Sequence, residues 1–304
     1  MKKYALVFSG QGSERVGMFS GIDKDPLIEI LDELKSKYCI DMHDIVNTKD
    51  AALISTNNQV LLSLFHYLGA KAVVDTIGYL PTVMMGHSVG QFSAIANSGA
   101  VSFVDMVNFL TERTRIINAE HVELRAKFKS IHGMTKDDFE SFIQHEKLET
   151  DIELALHNQK EQIVCGVTEA GECKLNALSS KYNFVLKDVN VSRPYHTSFM
   201  EEYNQMLLPH INALSPRKPL CPVLMNYSKE MTIDAEQMLA ESREQMVKPV
   251  FWYESVMNAA EQVEAFVTID PGETQHKIIK RITDKKIHNV SGMVAIKMIE
   301  KRGL

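Results

Sequence analysis

A chain of 304 residues with 45% hydrophobic side chains can fill one large globular domain, or a large domain carrying an insert. Lys and Arg number 33 against 39 Asp and Glu, a net charge of -6, so no basic face for a phosphate backbone is indicated and no nucleic-acid partner is expected. The cysteines, Cys39, Cys165, Cys173 and Cys221, show neither a C-x-x-C spacing nor a histidine at a zinc-ligand offset, which argues for reduced thiols, no metal site and a cytoplasmic setting.

In chain order, the apolar run from Tyr4 to Ser9 ends at Gly10-Gln11-Gly12 and reads as a buried strand entering a turn. It is too short for a signal segment or a membrane span, and no later segment is read as long enough to cross a bilayer, so no membrane partner is expected. Pro26 to Lys37 has helical periodicity, with Leu27, Ile30, Leu31 and Leu34 on one face. Val60 to Val74 reads as a buried helix, Thr82 to Gly86 as a second buried strand, and Gln91 to Gly99 as a small-residue helix able to approach a sheet closely. Another helix is expected from Phe103 to Val122. Alternating strands and helices argue an α/β class with a parallel sheet.

From about Ala126 to Asn190 the pattern changes to strand, helix, strand, strand, helix, strand: Phe128-Ile131, Lys136-His145, Ile152-Leu156, Gln162-Val167, Gly171-Lys181 and Val185-Val191. That order is the split β-α-β motif of a ferredoxin-like subdomain. The expected organisation is a large α/β domain over 1–125 and 194–304, hydrolase-like in its parallel core, interrupted by a ferredoxin-like insert over 126–193. Pro222-Met225 and Phe266-Ile269 read as late strands of the large domain.

Gly86-His87-Ser88-Val89-Gly90 is a G-x-S-x-G sequence between a predicted strand and a predicted helix, the context in which a sharp turn exposes a serine hydroxyl at the top of a sheet. The bland alternative is a serine capping a helix in a glycine-rich turn. A nucleophilic serine needs a base. Among eleven histidines the residues alone leave His196, His276 and His288 open, with His276 in a Lys-rich helical segment and His288 near a fraying terminus.

The ordered motifs resemble the malonyl-coenzyme A:acyl-carrier-protein transacylase family, including the acyltransferases of polyketide synthases. Phe8-Ser9-Gly10-Gln11-Gly12-Ser13 resembles its F-P-G-Q-G-S, with Ser9 for proline as in many polyketide acyltransferases. Gly86 to Phe92 resembles G-H-S-L-G-E-[FY], and Gly99-Ala100-Val101-Ser102-Phe103 resembles G-A-L-S-F. Arg113 stands where the family has a carboxylate-binding arginine, and Ser192-Arg193-Pro194-Tyr195-His196 resembles the segment ending in its catalytic histidine. Lys248-Pro249-Val250-Phe251-Trp252 and Asp270-Pro271-Gly272 resemble its later P-V-x-W and G-P-G.

The resemblance implies that Ser88 is the nucleophile and His196 its base, oriented by the backbone carbonyl of Phe251. It implies an oxyanion hole from the backbone N–H groups of Gln11 and Val89, a carboxylate grip by Arg113, and a pocket that includes His87 and Tyr195. The implied substrate is malonyl-coenzyme A, the implied partner an acyl carrier protein, and no cofactor is implied. The departures are Gln91 for glutamate, Asn57-Asn58-Gln59 for T-Q-P, a missing P-x-G-x-M-A-A-V before the insert, and Arg193-Pro194-Tyr195 near the acyl α-carbon. They point toward a polyketide assembly line rather than housekeeping fatty-acid synthesis. An acyl hydrolase clearing stalled carrier proteins, a non-catalytic carrier-docking protein and an unrelated serine esterase are the competing readings.

Overall fold

The computed structural model describes residues 2–119, 124–191, 193–292, 295, 296 and 299. The end of the helix expected to reach Val122, and Ser192 of the histidine motif, lie outside them. Among the described residues there are ten strands: β1 (Tyr4–Phe8), β2 (Val83–Gly86), β3 (Ala126–His132), β4 (Ile152–Gln159), β5 (Gln162–Thr168), β6 (Val185–Asp188), β7 (Val223–Leu224), β8 (Met231–Thr232), β9 (Ala265–Ile269) and β10 (Lys286–Val290). The larger sheet has the order β10-β9-β1-β2-β7-β8. Every neighbouring pair in it is parallel except β7 with β8.

β1 shows why the centre of this sheet is largely apolar. Successive residues of a strand point to opposite faces, and both faces here are covered. Tyr4, Leu6 and Phe8 join the core formed with helices Asn58–Ile77, Gly90–Asn97 and Phe103–Asn118. Ala5 and Val7 join the opposite core with Trp252, Val256 and Ile279. Helix Asn58–Ile77 corrects one expectation: at 20 residues it is long and apolar enough, by length and composition, to span a bilayer. Most of it is buried inside the protein and its exposed side carries the Lys71–Asp75 ion pair, which is the character of a core helix. It packs so closely that a Cβ on Gly69 would lie 2.7 Å from Cγ2 of Ile269 in β9.

Residues 126–188 form a separate antiparallel sheet of order β4-β5-β3-β6, with helices Lys136–Glu146 and Glu169–Tyr182 after its first and third strands. Ile131, Phe139, Phe142, Ile163, Cys165 and Leu175 build its own core. It is tied to the larger unit through β4: His157 N–H donates to the Val250 carbonyl and Val250 N–H to that of Ala155, each at 2.9 Å. The chain just before Val250 therefore has a fixed position against both sheets, and it borders the candidate site.

Candidate active site

The turn between β2 and helix Gly90–Asn97 places Ser88 at φ 54°, in the left-handed region. For a non-glycine residue that conformation costs about 1–3 kcal/mol and persists only where surroundings enforce it. Here they do. A Cβ on Gly86 would fall 2.0 Å from the carbonyl carbon and oxygen of Gly90, and one on Gly90 would fall 2.4 Å from the Phe8 carbonyl oxygen. Both glycines are thus required for the turn to close against the end of β1. Asn226, just past β7, clamps the turn from the side. Its Oδ1 accepts from the Ser88 N–H at 2.9 Å, its Nδ2 donates to the Gly86 carbonyl at 2.7 Å, and its own N–H donates to Gln91 Oε1 at 2.8 Å. Gln91 is fully buried, so a neutral amide here accepts that bond without bringing a charge into the core.

Ser88 Oγ lies 2.7 Å from His196 Nε2. His196 Nδ1 lies 2.8 Å from the Gln245 carbonyl oxygen, which can only accept, so Nδ1 carries the proton and Nε2 is free to accept from the serine hydroxyl. His196 also has positive φ, 65°, held by its N–H donating to the Met246 carbonyl at 2.7 Å. Burial, and after it the charge of Arg113, push its pKa down to about 3. The ring is therefore a neutral acceptor at neutral pH. The orienting carbonyl differs from the expected Phe251. That carbonyl is taken up by helix Trp252–Gln262, accepting from Ser255 N–H at 3.0 Å and Ser255 Oγ–H at 2.8 Å. Gln245 lies in the turn after helix Ala235–Ser242 and has its carbonyl available.

Arg113, on helix Phe103–Asn118, is 3% exposed. Its guanidinium donates through Nη1 to Gln59 Oε1 and through Nη2 to Gln245 Oε1 at 3.4 Å. It lies between the rings of Phe92, 5.6 Å away, and Tyr195, 5.8 Å away. Burial lowers its pKa to about 10, which leaves it charged at neutral pH. Among the described residues no carboxylate pairs with it. Its remaining contact is Met246 Sδ, 3.9 Å from Nη2, and a buried cation held by neutral groups alone is a site for an anion.

Gly10 brings the loop after β1 against the same turn, since a Cβ there would sit 2.8 Å from His87 Nδ1. Among the described residues neither the Gln11 nor the Val89 backbone N–H has an acceptor, so both are free to donate. His87 is a buried brace in the same place: Nε2–H donates to Asn158 Oδ1 of β4 at 2.9 Å, and the ring meets Trp252 edge-on at 5.1 Å. Of the other candidate histidines, His276 lies on helix Thr274–Ile279 and His288 on edge strand β10, which is a strand and not a frayed end.

The strained serine, the histidine with one ring nitrogen on a backbone carbonyl and the buried unpaired arginine thus converge on the carboxyl ends of parallel strands β1 and β2. Residues 5–301 match the family described as the acyl transferase domain. The chain belongs to that family. This acyl transferase is 26% identical over 310 residues to a malonyl CoA-acyl carrier protein transacylase of Staphylococcus aureus, with 98% of each chain covered. Its fold matches that of the malonyl CoA-acyl carrier protein transacylase from Coxiella burnetii with a TM-score of 0.89 at 23% identity, over 99% of this chain and 98% of the other. It likewise matches a malonyl-transacylase solved in complex with a type II polyketide synthase acyl-carrier protein, with a TM-score of 0.88 at 20% identity, over 99% and 100% of the chains.

Three residues of the site escape motif reading. Gln59 is visible only as part of Asn57-Asn58-Gln59, the departure from T-Q-P, and the signal for a role is a pair of amides opening a largely apolar helix. Asn226 follows a late strand, at the strand end where α/β proteins carry their ligands. Gln245 acts through a main-chain oxygen and leaves no side-chain signature.

Proposed function

We propose that this acyl transferase moves a malonyl group from coenzyme A to the phosphopantetheine thiol of an acyl carrier protein through a malonyl ester on Ser88. The observation that carries the reading is Arg113: a malonyl thioester ends in a free carboxylate, and a buried guanidinium without an anionic partner suits that group and no neutral acyl chain. The names of the relatives support the same donor and acceptor.

In the first half-reaction Ser88 Oγ attacks the thioester carbonyl as its proton passes to His196 Nε2. The Gln245 carbonyl holds the resulting imidazolium through Nδ1–H. The tetrahedral oxyanion accepts from the Gln11 and Val89 N–H groups. Collapse breaks the carbon–sulfur bond, and His196 returns the proton to the departing coenzyme A thiolate. The second half-reaction repeats these steps with the carrier thiol as nucleophile and Ser88 as leaving group. Written this way, the reaction needs neither a metal nor a redox cofactor. The departures at Ser9, Gln91 and Arg193 to Tyr195 support a carrier that belongs to a polyketide assembly line.

The test is to incubate the protein with labelled malonyl-coenzyme A and a holo carrier protein and to weigh both proteins intact. Label on the enzyme first and on the carrier afterwards is the expected result. Free malonate with an unlabelled carrier would replace transfer by hydrolysis, and no label on either protein would remove the activity.

A further inference from the structure

His66 is a histidine that the proposed reaction does not use. It lies inside helix Asn58–Ile77 with no exposed surface, tilted against Phe8 at a ring separation of 5.4 Å. A buried imidazole in an apolar helix is costly unless both nitrogens are satisfied. Both are: Nε2 lies 3.0 Å from Ser9 Oγ and Nδ1 lies 2.9 Å from Ser93 Oγ. The two serines are themselves buried. Ser9 is the residue after β1 and directly precedes Gly10-Gln11. Ser93 lies one helical turn after Val89, on the helix that follows Ser88.

The two partners of His66 therefore belong to the two arms that carry the free N–H groups of Gln11 and Val89. The arms also touch through backbone, since a Cβ on Gly90 would lie 2.4 Å from Phe8 O and 2.7 Å from Ser9 O. At that contact a small displacement of either arm changes the spacing of the two donors.

We propose that His66 is a positioning residue for acyl transfer, a staple from Ser9 to Ser93 that sets the separation of the Gln11 and Val89 N–H groups around the substrate oxygen. This inference rests on the reading of those two groups as the oxyanion donors. It also gives a physical role to the serine that stands where the related motif has proline, because proline has no hydroxyl to offer the ring. Burial pushes the pKa of His66 down to about 3, so the ring stays neutral and keeps one donor and one acceptor nitrogen throughout the working pH range.

The experiment uses full-length wild type and the variants Ser9→Ala, Ser93→Ala, His66→Phe and His66→Gln. Each is acylated with malonyl-coenzyme A carrying carbon-13 at the thioester carbon, and the infrared stretch of the resulting ester carbonyl is read by isotope difference. In the wild type the band should lie below that of the same acyl-enzyme after denaturation, because oxyanion donors weaken the carbonyl bond. In Ser9→Ala, Ser93→Ala and His66→Phe the band should move back toward the denatured position. Their kcat should fall on the order of 10-fold, a fraction of the ~10²–10³-fold lost with a whole oxyanion donor. KM should stay unchanged. His66→Gln, which can still donate and accept, should recover part of both signals relative to His66→Phe. If His66→Phe does not fold, the two serine variants carry the test. Variants that lose only thermal stability, with band and kcat as in the wild type, would overturn the staple. A wild-type band that coincides with the denatured one would instead overturn the oxyanion reading of Gln11 and Val89.

Discussion

Replacing Arg113 by alanine separates charge recognition from chemistry. The guanidinium is 3% exposed and contacts two glutamine side chains and two aromatic rings, so a malonyl carboxylate entering its site would be stripped of most water and paired with this one cation. Removing one member of a buried, hydrogen-bonded charge pair costs about 2–5 kcal/mol. At 1.4 kcal/mol per decade, with water entering the vacated volume and softening the loss, malonyl transfer should fall roughly 10- to 1000-fold. Acetyl transfer carries no carboxylate and should be spared or improved. Arg113→Lys should recover only part of the loss, since an ammonium cannot reproduce a two-point grip from the position of the guanidinium. The assay is rapid-quench loading of the enzyme with malonyl- and acetyl-coenzyme A, read as the ratio of the two rates in wild type and variant. If both rates fall in parallel, Arg113 shapes the site without reading the carboxylate, and the malonyl assignment loses its main support.

His196→Ala should slow transfer by ~10²–10⁴-fold, the range of general base catalysis, while the His276→Ala and His288→Ala variants keep their rates; steady-state transfer assays decide between the three histidines. Asn226→Ala leaves the Ser88 N–H and the Gly86 carbonyl unpaired, each at about 1–3 kcal/mol if water cannot reach them, so urea unfolding should register a large loss and kcat should drop with it. Equal stability in that variant would mean that the turn is held by its glycines alone. His66 and His196 both have pKa values lowered from 6.5 to about 3, so the native state binds fewer protons than the unfolded chain between those values. Stability should therefore fall as pH drops below about 6.5, each buried histidine adding up to ~1.4 kcal/mol per pH unit, and urea midpoints from pH 7.5 to pH 5 should show a weaker slope in His66→Gln.

What could be read from the sequence depended on whether side chains or backbone carried the feature. β1 announces itself because all five of its residues are buried and apolar, and the strand–serine–helix context of residues 83–97 follows from two glycines that the backbone cannot do without. β8 has two residues, and β10 is a half-buried edge strand with Lys, His and Asn in its sequence, so neither shows an apolar run. Helix Asn58–Ile77 was legible as a buried helix, yet its composition cannot separate a protein core from a bilayer; only the elements packed around it do. The family resemblance points to the Phe251 carbonyl as the one that orients His196, whereas the Gln245 carbonyl does so, because a carbonyl's availability depends on which helix has already claimed it. Gln91, a departure from the family motif, acquires its sense only once Asn226, in the turn after β7 and far away in sequence, donates to it.

The central claim is that Ser88 carries the acyl group in transit. Wild type and Ser88→Ala should be exposed to malonyl-coenzyme A, quenched in acid, weighed intact and digested for peptide mapping. The expected result is a single added malonyl mass on the wild-type peptide containing Ser88 and none on the variant. A malonyl adduct that persists in Ser88→Ala, or that maps to another side chain in the wild type, would contradict it.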